Sequence, residues 1–197
     1  MKKLMAVLAT AVLAAAAPTM AQQTQQILMS TGSPTSCTAT SPVTVTTAPG
    51  HTTMVTGFNA ISYSLGGSDQ VQVGTGATTV GVPKLSNLTI SKLSDVCSGP
   101  LIMAMLSGSQ LNTVTLYQLH SMANGTNIPV LTITLTNAYV TSWSLAASTA
   151  SATGNGPQEN FGFTYTNICV ANTTITSNGT VGNTMSHCYN VQTNTAS

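Results

Sequence analysis

The stretch from Leu85 to Gly108, LSNLTISKLSDVCSGPLIMAMLSG, constrains the fold more than any other part of this chain. Leu88 and Ile90 alternate with polar residues, the period-two pattern of a strand with one face in a core. A Lys-x-x-Asp step follows, Lys92 to Asp95, and Ser98-Gly99-Pro100 then opens an apolar run that stops at Gly108. Ser98 or Gly99 is the expected N-cap, and Pro100 suits the first turn, where its missing N–H would be unpaired anyway. Leu101, Ile102, Met105 and Leu106 form the face expected to pack on a sheet. No other segment makes a convincing helix.

The rest reads as strands broken by turns. Ile27-Leu28-Met29 makes a short first strand in the polar segment Gln22 to Gly50, which otherwise reads as loop. Met54 to Leu65 reads as one strand with Ile61, Tyr63 and Leu65 on a common face, and Gly66-Gly67 turns the chain. Gln70 to Gly81 is rich in Gly and Thr and supports a weak strand at most. Leu111 to His120 alternates Val114 and Leu116 with Thr113 and Thr115, and Asn124-Gly125 is a hairpin signal. Val130 to Leu145 is a long strand with Leu131, Ile133 and Leu135 in register. Ala146 to Gly156 is a small-residue loop, and Pro157 to Ile168 places Phe161, Phe163 and Tyr165 on one face. Ala171 to Ser197 is polar again, with Asn178-Gly179 as a further turn signal. Many strands and one helix predict a mainly β fold: a two-sheet β-barrel or sandwich with one short α-helix packed on it.

Residues 1–21 stand apart. Lys2 and Lys3 precede an apolar run from Leu4 to Ala17, and Thr19-Met20-Ala21 supplies small residues at the cleavage positions. This is the pattern of a secretory signal peptide, too short for a membrane span. The expected mature chain, residues 22–197, is one domain with polar N- and C-terminal extensions, secreted to the medium or the periplasm.

Beyond residue 21 the charged residues are Lys84 and Lys92 against Asp69, Asp95 and Glu159, a balance of one net negative charge. With no Arg anywhere, the clustered cations that nucleic acid or an anionic membrane requires are missing. A surface of Thr, Ser, Asn and Gln leaves self-association unopposed by repulsion. Cys37, Cys97, Cys169 and Cys188 all lie in the exported part. An even number in an oxidising compartment predicts two disulfides, with three connectivities open, and no C-x-x-C spacing suggests a metal.

Parity exposes a sharper feature. Lys92 shares the face of Leu88 and Ile90, while Glu159 shares the face of Phe161, Phe163 and Tyr165. Both charges therefore fall in the inward register. A buried charge without a partner is costly, so Lys92 is expected to meet Glu159, or Asp95 across the strand-to-helix turn. Such a pair fixes register and seats the helix. A Glu acid with a Lys partner is the catalytic alternative, but no further ionisable group lies nearby in sequence to complete a mechanism.

The order of these motifs resembles the haemolysin-coregulated protein (Hcp) family, the inner-tube subunits of type VI secretion systems. Ile61-Ser62-Tyr63-Ser64-Leu65-Gly66 is similar to the family's hydrophobic-Ser-aromatic-Ser-Trp-Gly strand end, with Leu65 where Trp is usual. Leu88 to Lys92 with Asp95 and Ser98 resembles its strand-Lys-x-x-Asp-x-x-Ser step into the helix. Leu131 to Ser142 resembles the long central strand, and Gly156 to Asn160 with Phe161, Phe163 and Ile168 the closing Pro-x-Glu-x strand. The resemblance spans roughly Met54 to Ile168. It implies six-membered rings that stack into tubes, with itself as partner and secreted cargo in the lumen. Family members carry no cleaved signal and more charge than this chain.

Three functions follow from these readings. The first is a secreted structural subunit, non-catalytic and without cofactor, that self-assembles into rings, tubes or filaments. The second is a type VI tube protein or effector carrier. The third is a secreted binding module in which Trp143, on the long strand, stacks on a sugar. An enzyme is not expected: His51, His120 and His187 lie outside any Gly-x-Ser-x-Gly or His-x-x-x-His setting.

Overall fold

Alternating apolar residues fold into strands wherever both faces find a use, and here they dominate. The computed structural model describes residues 25–32, 37–73, 78–147 and 156–196. The signal-peptide reading of residues 1–21 lies outside them. In chain order the strands are β1 (Gln25–Thr31), β2 (Val43–Ala48), β3 (His51–Val55), β4 (Phe58–Ala60), β5 (Ser62–Ser64), β6 (Gly67–Ser68), β7 (Val71–Val73), β8 (Thr78–Val80), β9 (Lys84–Leu85) and β10 (Leu88–Leu93). Helix α1 (Ser98–Ser107) follows. The chain continues through β11 (Leu111–Ser121), β12 (Asn127–Ala146), β13 (Gln158–Thr164), β14 (Asn167–Ile175), β15 (Val181–Asn190) and β16 (Thr195–Ala196).

These strands form two faces joined through β12. The larger sheet runs β16-β15-β14-β12-β11-β1-β4; the smaller runs from the C-terminal half of β12 through β13 and β10 to β5. The twenty-residue β12 belongs to both. Leu131 to Thr136 pair with β14, and Tyr139 to Ala146 pair with β13. Between them Asn137 adopts φ +50°, the left-handed region that Asn tolerates, and its amide donates to Thr166 Oγ1 at 3.2 Å. The opposite corner lies between β4, which pairs β1, and β5, which pairs β10. There the Ile61 N–H donates to the Ser91 carbonyl at 2.7 Å.

The main core lies between the faces, built from Met29, Phe58, Leu88, Ile90, Val114, Leu116, Leu135, Phe161 and Phe163, all fully buried. Tyr63 OH donates to Gln118 Oε1 at 2.8 Å, a bond that spans the two faces. A smaller cluster, Leu28, Val45, Val55 and Leu119, forms where the β2–β3 hairpin covers the back of the large sheet.

Five expectations are corrected. Met54 to Leu65 is not one strand: it breaks into β3, β4 and β5. Gly57 approaches the Met29 carbonyl so closely that a Cβ would sit 1.9 Å from its oxygen, and the chain turns there. Ile61, at the corner, is 52% exposed rather than inward. Cys97, rather than Ser98 or Gly99, holds the N-cap position and makes no side-chain cap bond, its sulfur being joined to Cys37. Leu106 is 70% exposed, since the helix buries the narrower stripe of Ser98, Leu101 and Ala104. Finally, the polar extensions are ordered pairing strands: Val43–Ala48 forms a hairpin with β3, and β14 and β15 form one that turns at Gly179, φ +73°.

Candidate functional site

The charged seam between β10, β13 and α1 is the most polar place in the core. Strand pairing sets Lys92 opposite Glu159, both on the inner face. The Lys92 side chain is fully buried and that of Glu159 is 3% exposed, with Nζ 3.2 Å from Oε2. The turn after β10 then brings Asp95 back, Oδ1 2.8 Å from the same Nζ, its side chain 28% exposed. Both partners expected for Lys92 thus reach it together.

The remaining donors and acceptors are supplied locally. Lys92 Nζ also lies 2.8 Å from the Leu93 carbonyl and 2.9 Å from Ser98 Oγ. Ser98 Oγ donates to Glu159 Oε2 in a short bond and accepts from the Asp95 N–H at 3.1 Å. Ser94 Oγ donates to Glu159 Oε1 at 3.3 Å, and Asp95 Oδ1 accepts the Cys97 N–H at 2.8 Å. The rings of Phe58 and Phe161 sit 5.5 and 6.0 Å from Nζ, within cation–π range. A buried ammonium with this many partners answers the desolvation that burial imposes. Sequence reasoning named the three charges but took Ser98 for a cap and missed Ser94 and Phe58. The Ser at the third position after Asp95 was the available signal for Ser98.

Chemically this cluster is closed. Lys92 is fully buried and Glu159 is 3% exposed, so the cluster meets solvent mainly through Asp95. His51 and His187 are exposed and His120 is half-buried, each on a different strand. Among the described residues no three of His, Cys, Asp and Glu converge as metal ligands. Trp143 is 36% exposed on the C-terminal half of β12.

The cysteines pair as Cys37–Cys97 and Cys169–Cys188, one of the three open connectivities. The first joins the segment after β1 to the start of α1. The second bridges residues already opposite each other on β14 and β15.

The outer surface is the other functional element. With Lys92 and Glu159 inside, the described exposed charges are Lys84, Asp69 and part of Asp95. Large apolar side chains stand in water instead: Met103 at 62% and Leu106 at 70% on successive turns of α1, and Val96 at 72% just before it. No helix among the described residues is long and apolar enough to cross a membrane.

Residues 46–171, more than half of the chain, match the family model described as type VI secretion system effector, Hcp. The chain belongs to the Hcp family. Its fold is similar to that of a type six secretion system protein, at 16% identity and TM-score 0.66, covering 88% of this chain and 100% of that one. Hcp1 from Salmonella typhimurium is 14% identical with TM-score 0.60, over 88% of this chain and 99% of its own. The secreted protein Hcp3 from Pseudomonas aeruginosa is 20% identical with TM-score 0.50, over 85% and 98%. At these identities the likeness is one of fold, including the large and small β faces and the single helix. No curated protein matches the chain in sequence. Hcp is a family of structural tube proteins, not of enzymes, its members are secreted, and it is known for self-assembly into rings and tubes.

Proposed function

We propose that this protein is an exported structural subunit: the general secretory route removes residues 1–21, and residues 22–197 fold as one domain and assemble into six-membered rings that stack as tubes. Membership of the Hcp family carries this reading. The sparsely charged surface with apolar side chains on α1 supports it, because neutral apolar patches favour burial against another copy. The Lys92, Glu159 and Asp95 cluster acts as a structural ion pair that fixes the register of β10 on β13 and seats α1. The two disulfides hold each subunit in the periplasm or outside the cell, and the lumen is free to carry cargo.

Negative-stain imaging of the exported protein, with sequencing of its N-terminus, tests this directly. Rings or tubes built from chains that begin at residue 22 are the expected result. Monomers at every concentration would overturn assembly. A chain retaining Met1 in a cytoplasmic pool would instead favour the second reading, a tube protein or effector carrier of a contractile machine.

A further inference from the structure

The two disulfides sit in unlike surroundings. Cys169 and Cys188 are register partners inside a ladder that runs from Asn167↔Asn190 to Thr173↔Thr184, so backbone pairing holds them together with or without the bond. Residues 37–40 belong to no strand. Among the described residues, their backbone bonds go to one acceptor: the N–H groups of Ala39 and Thr40 both donate to the Gly57 carbonyl, at 2.8 and 3.0 Å, as does Thr40 Oγ1 at 3.2 Å. The Cys37–Cys97 bond is what carries this segment to the helix. Cys97 is fully buried in the main core, next to Ser98, while Cys37 is partly exposed. Ala39 and Thr40 line a cleft of about 310 Å³ together with Leu93, Ser94 and Asp95. The last three belong to the turn that brings Asp95 to Lys92.

We propose that Cys37–Cys97 is a redox strap: its oxidation pins residues 37–40 against the Lys92–Asp95–Glu159 seat and makes firm docking of α1 conditional on an oxidising compartment. Cys169–Cys188 has no such role. The strap stands whether or not the subunit forms rings. It closes by thiol–disulfide exchange with a small disulfide or an oxidised dithiol protein. The Cys37 thiolate attacks that oxidant's disulfide and releases one of its thiols. The Cys97 thiolate then displaces the second, so two electrons pass to the oxidant and the two protons given up by Cys37 and Cys97 end on its two released thiols. In a reducing cytoplasm the dithiol persists, residues 37–40 keep their bonds to the Gly57 carbonyl but lose the covalent tie to Cys97, and the turn at Asp95 with the start of α1 opens more often.

Hydrogen exchange on the purified exported protein tests the strap, read at the amides of Ser94, Cys97, Ser98 and Leu101. Each of these donates within the turn and helix start or to the neighbouring Pro157 carbonyl. Cys37→Ser, and separately reduction of the wild-type protein with a thiol reductant, should speed exchange at these amides about tenfold. Cys169→Ser should leave them unchanged. If Cys37→Ser fails to fold where Cys169→Ser folds, the same asymmetry appears in a stronger form and supports the strap. Equal protection in oxidised and reduced protein, or an equal effect of Cys169→Ser, overturns it.

Discussion

Lys92 and Glu159 face each other across the β10–β13 ladder with Nζ 3.2 Å from Oε2, and neither side chain is more than 3% exposed. Removing Glu159 leaves the fully buried Lys92 with Asp95, itself 28% exposed, as its remaining carboxylate. Glu159→Gln should therefore destabilise the fold by on the order of 3 kcal/mol, which lowers the melting temperature by roughly 10 °C. Asp95→Asn should cost about 1 kcal/mol, because its side chain is 28% exposed and the amide still accepts the Cys97 N–H. Replacing both buried charges, Lys92→Met with Glu159→Leu, should recover most of the loss. Denaturant titration ranks the four proteins, and a Glu159→Gln variant as stable as wild type contradicts a buried structural pair.

Gly57 leaves no room for a side chain. A Cβ would meet the Met29 carbonyl oxygen at 1.9 Å and its carbon at 2.7 Å, both backbone atoms of the paired β1. Gly57→Ala must push β1 and β4 apart, and the expected yield of folded protein is far below that of Gly99→Ala, whose Cβ meets nothing within 4 Å on helical backbone. Soluble expression and thermal melts of the two variants compare them directly.

Burial pushes the phenols of Tyr63, Tyr117 and Tyr165 above the ordinary 10.0, with a hydrogen bond from Thr115 opposing the rise at Tyr117. The folded state therefore holds these rings neutral after the unfolded chain has begun to ionise. Their contribution is complete below pH 10.0 and is lost as pH rises from there through the higher folded values. Melting temperature followed alongside tyrosinate absorbance should hold steady on approach to that pH and fall beyond it. Tyrosines that all ionise at the free-phenol value, with no loss of stability, would refute the prediction.

Met103 and Leu106 bury little within the subunit, at 62% and 70% exposure. Met103→Glu with Leu106→Glu should leave the melting temperature of the isolated subunit close to wild type while raising the concentration needed for assembly. Light scattering separates the two effects. A large drop in subunit stability would show that these side chains serve the core instead.

Much of the fold was legible because strands impose parity. Leu88, Ile90, Phe161 and Phe163 turned inward as alternation demands, and the same parity carried Lys92 and Glu159 with them. What alternation cannot encode is close approach. The break at Gly57 depends on a carbonyl from a strand about thirty residues earlier, which no local pattern announces. The helix face was misjudged at Leu106 because an apolar residue type does not say whether a neighbour covers it. The hairpin of β14 and β15 was hidden by composition: only Ile168, Val170 and Tyr189 near one end pack on the core, and the Thr, Asn and Ser residues beyond them lie in water and show no apolar alternation. Asn178-Gly179 alone marked its turn. Disulfide pairing was open for a related reason, since Cys37 and Cys97 meet across 60 residues of chain.

The double membership of β12 has a mechanical consequence. A single covalent backbone runs from the large sheet into the small one through Asn137. The two sheets cannot slip past each other without stretching that backbone, so shear is stiff and torsion about the Asn137 corner is the soft mode.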